Sequence, residues 1–295
     1  MGGFLEGKVV AITGAGRGIG RAIALACAAE GAKVVVNDYG VGIAGEEPTS
    51  EVADEVVAEI KEAGGDAVAV ADSVASMSGG ERIVQTAVET FGRLDGVVCV
   101  AGILRERMLF NMTEEEWDGV LDTHLKGTFT VFRAASAVMR QQKSGTLIGF
   151  TSGVGFLGSV GQPNYAAAKA GIVGLVRSAA LGLHKYGVTA NAIAPIARTR
   201  MSANVPGTLQ ENGDAEDIAP LVVYLLSDAA RDVTGQAYTS VGGRIAVWSQ
   251  PTELREMVKD GRWTPEEIAE RLPAEVGTER LPMFDIIEQM SKPAG

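Results

Sequence analysis

Short apolar runs alternate along this chain with longer stretches in which apolar residues return every three or four positions. The runs are "KVVAIT" (8–13), "KVVVN" (33–37), "AVAVA" (67–71), "DGVVCVAG" (95–102), "GTLIGFTS" (145–152), "VTANAIAP" (188–195) and "QAYTSVGG" (236–243). They are short and rich in Val and Ile, as expected of strands buried on both faces. The stretches between them read as helices: "GRAIALACAAEG", "SEVADEVVAEIKEAGG", one ending at "ETFGRL", a long one over 113–143, the "YAAAKAGIVGL" segment and "DAEDIAPLVVYLLSD". Strands joined through helices pair in parallel, and right-handed crossovers place helices on both faces. The expected class is α/β, a doubly wound seven-stranded parallel sheet. Residues 1–243 form this domain. Residues 244–295 are more polar, with prolines at 251, 265 and 273, and read as an extension packed on the same domain. Within it "WTPEEIAERL" starts a helix, with Thr264 as N-cap and Pro265 as first helical residue.

The first turn carries chemistry. "TGAGRGIG" (13–20) leaves the first strand and opens the first helix. Gly14 permits the tight turn, while Gly18 and Gly20 let backbone approach a pyrophosphate at the helix N-terminus. Strand before and helix after make this a Rossmann-type dinucleotide loop and not merely a glycine-rich turn. Asp38 stands eighteen residues beyond Gly20, at the end of the second strand. Its carboxylate can accept from both adenosine ribose hydroxyls and repels a 2′-phosphate, favouring NAD over NADP; Arg17 softens that preference, and a plain turn residue before Gly40 is the alternative. Asp72, after the third strand, is placed to meet the adenine amino group.

A second motif is "GSVGQPNYAAAKAG" (158–171), where Tyr165 and Lys169 lie one helical turn apart on one face. Ser152 precedes Tyr165 by thirteen residues, at the end of the fifth strand. All three fall at C-terminal strand ends or in the helix that follows, where open α/β sheets hold ligands.

Composition narrows the partners. The chain has 295 residues, 46% of them hydrophobic, and a formal net charge of −11, which argues against nucleic acid or an anionic membrane as partner. No 18-residue apolar run and no leader are expected. Cys27 and Cys99 sit far apart in apolar surroundings, suiting reduced thiols in a cytoplasmic protein. His124 and His184 lack partners at metal-ligand spacing, so no metal is expected.

Together "TGAGRGIG", "NDYG", the "AG" of 101–102, Ser152 and "YAAAK" (165–169) resemble the short-chain dehydrogenases/reductases. The resemblance covers residues 5 to about 243. Within that family, "VVVNDYG", "AGILRERMLF", "HLKGTF", "GQPNYAAAKAGIVGL" and "IAPIARTRM" are similar to the (3R)-hydroxyacyl-CoA dehydrogenase unit of type 2 peroxisomal multifunctional enzymes and their bacterial relatives. The tail "WSQPTELREMVKDGRWTPEEIAERL" is similar to the segment that follows the core in that unit.

The resemblance implies hydride transfer between NAD and a secondary alcohol or ketone. The expected pair is a (3R)-hydroxyacyl-CoA and its 3-oxoacyl-CoA from fatty-acid or steroid side-chain breakdown. A hydroxysteroid dehydrogenase and a non-catalytic nucleotide-binding module are the alternatives. Tyr165 is the expected acid/base. An unperturbed tyrosine has a pKa near ~10, and reaching roughly 7–8 requires about 3–4 kcal/mol of preferential phenolate stabilisation. The Lys169 ammonium and oxidised nicotinamide are expected sources, and Lys169 also holds the nicotinamide ribose. Ser152 holds the substrate oxygen. The dinucleotide-binding set is completed by Ile19, Ser73, Ala101, Gly102, Pro195, Ile196 and Thr199.

Two departures stand out. The family's "NNAG" reads "CVAG" here, with Cys99 and Val100 in place of asparagines that brace the central strand. Where many members carry an asparagine in "NLKG", this chain has His124 in "HLKG". His124 is expected either to continue the proton relay from Lys169 through water or to be a core histidine bonded to backbone. Arg105, Arg107, Arg198 and Arg200 project from loops at one sheet edge. They are expected either to meet coenzyme A phosphates or to pair with Glu106 and Glu114–Glu116. A homodimer or homotetramer is expected, joined through the long helix after the fourth strand and the Tyr/Lys helix.

Overall fold

In the computed structural model, residues 3–40, 51–198, 213–281, 283–285 and 288 are described. The elements run β1 (Val9–Thr13), α1 (Gly18–Ala29), β2 (Lys33–Asn37), α2 (Glu51–Glu62), β3 (Asp66–Val70), α3 (Met77–Phe91) and β4 (Gly96–Cys99). They continue with α4 (Glu114–Leu121), a π-helical turn (Asp122–Lys126), α5 (Gly127–Gln142), β5 (Gly145–Phe150), α6 (Val154–Leu157) and α7 (Pro163–Leu183). Last come β6 (Val188–Pro195), α8 (Ala219–Leu226), β7 (Ala237–Val241), β8 (Arg244–Val247) and α9 (Pro265–Glu275).

The strand order is β3-β2-β1-β4-β5-β6-β7-β8. The first seven strands pair in parallel, as the unbroken apolar runs require: every residue of β1 and β4 is buried. Helices α1, α2 and α8 share one continuous core cluster with the sheet, while α3, α5 and α7 neighbour one another as a second set. Chain order reverses between β1 and β4, whose registers meet at Thr13 and Cys99. Loops leaving the two strands diverge there and open a crevice.

Three features depart from the expectation. The sheet has an eighth strand: β8 turns back antiparallel on β7, pairing Val241 with Arg244. The boundary expected at 243 therefore falls inside a hairpin, and the first compact unit runs to Val247. The helix expected over 113–143 is divided by the π-helical turn at 122–126. Finally, α7 with the turn after it is, by length and composition, apolar enough to cross a membrane, although only a third of its most apolar window is buried within the protein. Its inner side contributes Ala168, Lys169, Ile172, Val173, Val176 and Ala180 to the interior.

The second compact unit spans Trp248–Gly295. Its helix α9 starts where the sequence places it. Thr264 Oγ1 accepts from the Glu267 N–H, and the Glu267 carboxylate accepts from the Thr264 N–H at 2.8 Å, with Pro265 in the first turn. The Lys259 ammonium and the Arg271 guanidinium lie 5.3 and 4.8 Å from the Trp263 ring centroid.

Candidate active site

The glycine loop is a cradle with no room for side chains. Gly14 has φ +65°, and a Cβ there would come within 2.7 Å of the Ala101 backbone. A Cβ on Gly20 would lie 2.0 Å from the Gly14 carbonyl oxygen. The N-cap of α1, the exposed Arg17, makes no side-chain capping bond, so no capping side chain blocks the N-terminus of α1. At the rim, the Asp38 carboxylate accepts from Gly16 N–H at 2.8 Å and Gly40 N–H at 2.7 Å. These residues suit a dinucleotide: backbone N–H groups at a helix start for the pyrophosphate, and an oriented carboxylate at the end of β2 for ribose hydroxyls. Ile19 is half-buried in the first turn of α1. Asp72 is exposed after β3, its carbonyl accepting from Asn37 Nδ2 at 2.9 Å, and Ser73 Oγ accepts from the Ala75 N–H.

Sequence reasoning missed Asn37. It is 1% exposed and ties the end of β2 to Val70 and Asp72 carbonyls, so that Asp38 and Asp72 leave their strands in fixed register. The "CVAG" departure is absorbed nearby. The Thr13 carbonyl accepts from Val100 N–H and the Thr13 hydroxyl from Ala101 N–H, bracing the segment without asparagine side chains. Cys99 itself is a buried thiol whose ionisation is strongly disfavoured by desolvation.

Ser152, Tyr165 and Lys169 come together. Ser152 follows β5 and acts on the Tyr165 phenol to favour its ionised form; its Oγ accepts from Val154 N–H at 3.2 Å. Lys169 is 4% exposed. Its ammonium donates to the Phe150 carbonyl at 2.7 Å and lies 5.3 Å from the Tyr165 ring centroid. The Lys169 carbonyl accepts from the Thr151 hydroxyl at 2.8 Å, tying α7 to the end of β5.

The electrostatics of this site correct the expectation for the protein alone. Burial pushes the Tyr165 phenol up to about 12, against the lowering effect of Ser152. Burial also brings Lys169 down to about 7. The physical reason is common to both: leaving water penalises phenolate and ammonium alike, so the lysine charge expected to stabilise the phenolate is itself diminished.

His124 sits in the π-helical turn, 2% exposed. Its Nε2 contacts the Ile103 carbonyl at 2.8 Å and also lies 3.2 Å from the Ile103 amide nitrogen, so backbone holds this nitrogen whichever tautomer is present. Among the described residues Nδ1 has no partner despite its burial. The imidazole meets the Tyr165 ring edge-on, centroids 5.2 Å apart at 87°. A Cβ at Gly102 would fall 2.1 Å from His124 Cε1, so glycine there makes room for the imidazole. Desolvation and the Lys169 charge hold His124 well below the ordinary histidine range, in its neutral form.

The arginines are engaged by protein groups. Arg107 Nη2 donates to the Glu116 carboxylate at 2.7 Å, Arg198 Nη2 to Asp214 at 2.7 Å, and Arg105 Nη1 to the Glu115 carbonyl at 2.8 Å. Pro195 ends β6, and Ile196, partly exposed, donates its N–H to the Ser240 carbonyl. Thr199 and Arg200 lie outside the described residues. No group of metal-ligating side chains occurs among the described residues.

The chain as a whole is similar to known proteins. The family described as short chain dehydrogenase matches residues 8–209. The hydroxyacyl-CoA dehydrogenase ChsB1 of Mycobacterium tuberculosis is 43% identical over 284 residues, spanning 91% of this chain and 88% of its own. The peroxisomal hydratase-dehydrogenase-epimerase of Saccharomyces cerevisiae is 48% identical over 226 residues, 76% of this chain but 25% of its own length. A crystal structure of a short chain dehydrogenase from Mycobacterium avium superposes with a TM-score of 0.85 at 48% identity, covering 94% of this chain and 97% of that one.

Proposed function

Because the chain belongs to the short-chain dehydrogenase family and is an oxidoreductase acting on CH–OH groups, we propose that it oxidises a (3R)-hydroxyacyl-CoA with NAD, or reduces the 3-oxoacyl-CoA in return. The observation that carries the chemistry is the Lys169 ammonium held by the Phe150 carbonyl 5.3 Å from the Tyr165 ring centroid, with Ser152 acting on the same phenol. The acyl-CoA assignment is supported by relatives whose names specify hydroxyacyl-CoA dehydrogenase and hydratase-dehydrogenase-epimerase.

Members of this family bind a nicotinamide nucleotide, and the glycine cradle and α1 N-terminus would hold its pyrophosphate. NAD is favoured over NADP because the Asp38 carboxylate, locked by two backbone N–H groups, cannot turn away from a 2′-phosphate without leaving both donors unpaired. When bound, oxidised nicotinamide supplies the hydride acceptor and a positive charge. Ser152 orients the alcohol oxygen and stabilises the charge developing on it. Tyr165 takes the hydroxyl proton. Lys169, kept in place by Phe150, passes it on to water, and His124 receives water at Nδ1 while Nε2 keeps its Ile103 contact.

The active form is a homodimer or homotetramer. Ala167, Ala170, Gly174, Ser178 and Leu181 form an exposed stripe along α7 at spacings of three and four, and Leu181 is 85% exposed. A cytoplasmic setting fits the two buried thiols, Cys27 and Cys99.

The deciding experiment follows NADH absorbance with (3R)- and (3S)-3-hydroxyacyl-CoA of several chain lengths and with hydroxysteroids, using NAD and NADP. Turnover of the (3R)-thioesters with NAD is expected. Preference for a steroid, or dinucleotide binding without turnover of any alcohol, overturns the assignment.

A further inference from the structure

The residue in front of Tyr165 is tied to two other parts of the chain. Helix α7 opens at Pro163, and its N-cap residue Gln162 makes no side-chain capping bond. The anchoring is done by Asn164, a side chain 1% exposed. Its Nδ2 donates to two carbonyls, those of Arg105 and Glu116, at 2.9 Å each, and its Oδ1 accepts the Tyr165 N–H at 2.8 Å. One amide thus joins the loop after β4, helix α4 and the backbone of the tyrosine.

Neighbouring bonds reinforce the joint. Arg107 N–H donates to the Gly161 carbonyl at 2.8 Å, and the Gln162 side chain bonds Glu106. The Arg107 guanidinium grips the Glu116 carboxylate, which also accepts from Thr113 N–H to complete the capping box of α4. Asparagine alone of similar-sized side chains donates twice and accepts at once. An aspartate would face two carbonyls with a carboxylate, and an apolar residue would remove all three bonds.

We propose that Asn164 is a positioning residue for the reaction. It fixes the backbone of Tyr165, and through it the phenol, against the 105–107 loop and α4, without touching substrate itself. The inference rests on the reading of Tyr165 as acid/base. Errors of an ångström in such placement reduce turnover far more than binding.

The test uses the full chain with NAD and the best alcohol found for it. Asn164→Asp keeps shape and the acceptor for Tyr165 N–H but removes both donors; Asn164→Ser reaches neither carbonyl and leaves a hydroxyl beside the Tyr165 N–H. In folded variants, checked by melting and by NADH fluorescence, kcat is expected to fall on the order of tenfold to a hundredfold. KM and NADH affinity should stay within about threefold. The acid limb of the kcat profile should move up by about one pH unit as the phenol loses its alignment with Ser152 and Lys169. Wild-type kcat and pH profile in either folded variant overturns the inference, as does a loss that disappears on cooling or a failure of both variants to fold, since either makes the role structural only. Tyr165→Phe separates this from the underlying reading: if that variant stays active, the acid/base assignment itself is wrong.

Discussion

The Lys169 ammonium lies 5.3 Å from the centroid of the Tyr165 ring while donating to the Phe150 carbonyl at 2.7 Å. The lysine is therefore held by strand β5 and not by the phenol. Its charge is near enough to act on a phenolate, yet burial opposes both ions when the protein is alone.

A titration follows from this. Without dinucleotide, the Tyr165 phenol should ionise near the value of about 12 set by burial. Tyrosinate absorbance, compared between the parent chain and Tyr165→Phe, reports it. Adding NAD should lower the midpoint, and an unchanged midpoint would remove the electrostatic account of the base. Tyr165→Phe should lower kcat by about 10²–10⁴-fold and Ser152→Ala by about 10²–10³-fold, both measured by NADH formation.

Lys169→Met should make the protein more stable and nearly inactive. The folded-state value of about 7 lies below the ordinary lysine value of 10.5, so between those limits the unfolded chain binds the extra proton. Stability from this group rises with pH across that window, and its full penalty is present below pH 7. Removing the amine should raise Tm at pH 6.5 by more than at pH 9.5, read by thermal melting without dinucleotide.

His124 has the same sign at lower pH. Its folded-state value is held well below 6.5, so an unfolded chain takes up a proton that the native imidazole refuses. Stability should decline as pH falls below about 6.5, and His124→Ala should flatten that decline in melts between pH 5 and 7.5. Its turnover should fall strongly with NAD affinity little changed; wild-type turnover would end the relay.

Asp38→Ser should exchange cofactor preference. Losing the carboxylate removes repulsion toward a 2′-phosphate and unpairs the Gly16 and Gly40 N–H groups. The ratio of kcat/KM for NAD over NADP should drop at least about tenfold, an energy near ~1.4 kcal/mol. An unchanged ratio would place the discrimination elsewhere.

Much of the site could be read in advance because its signals are local. The glycine loop was legible from a strand, three glycines and a helix in succession, and the Tyr165–Lys169 pair from one turn of helical spacing. The π-helical turn within 113–143 was not, since the imidazole of His124 occupies the space over Gly102 and packs edge-on to Tyr165, contacts with residues remote in sequence. The sharing of Arg107 with Glu116 and of Asn164 among three backbone groups was hidden for the same reason. β8 escaped notice because its pattern is that of an exposed edge, with Arg244, Ile245 and Val247 open to solvent.

Sequence alone determined the parallel sheet, the dinucleotide turn and which side chains meet within one helical turn, because periodicity and short-range sterics settle these before distant segments dock. Tertiary structure decided the protonation of the site, the partners of the arginines and the anchoring of Tyr165. Desolvation and buried hydrogen bonds depend on which remote backbone groups arrive alongside, and those are fixed only when the sheet and helices pack.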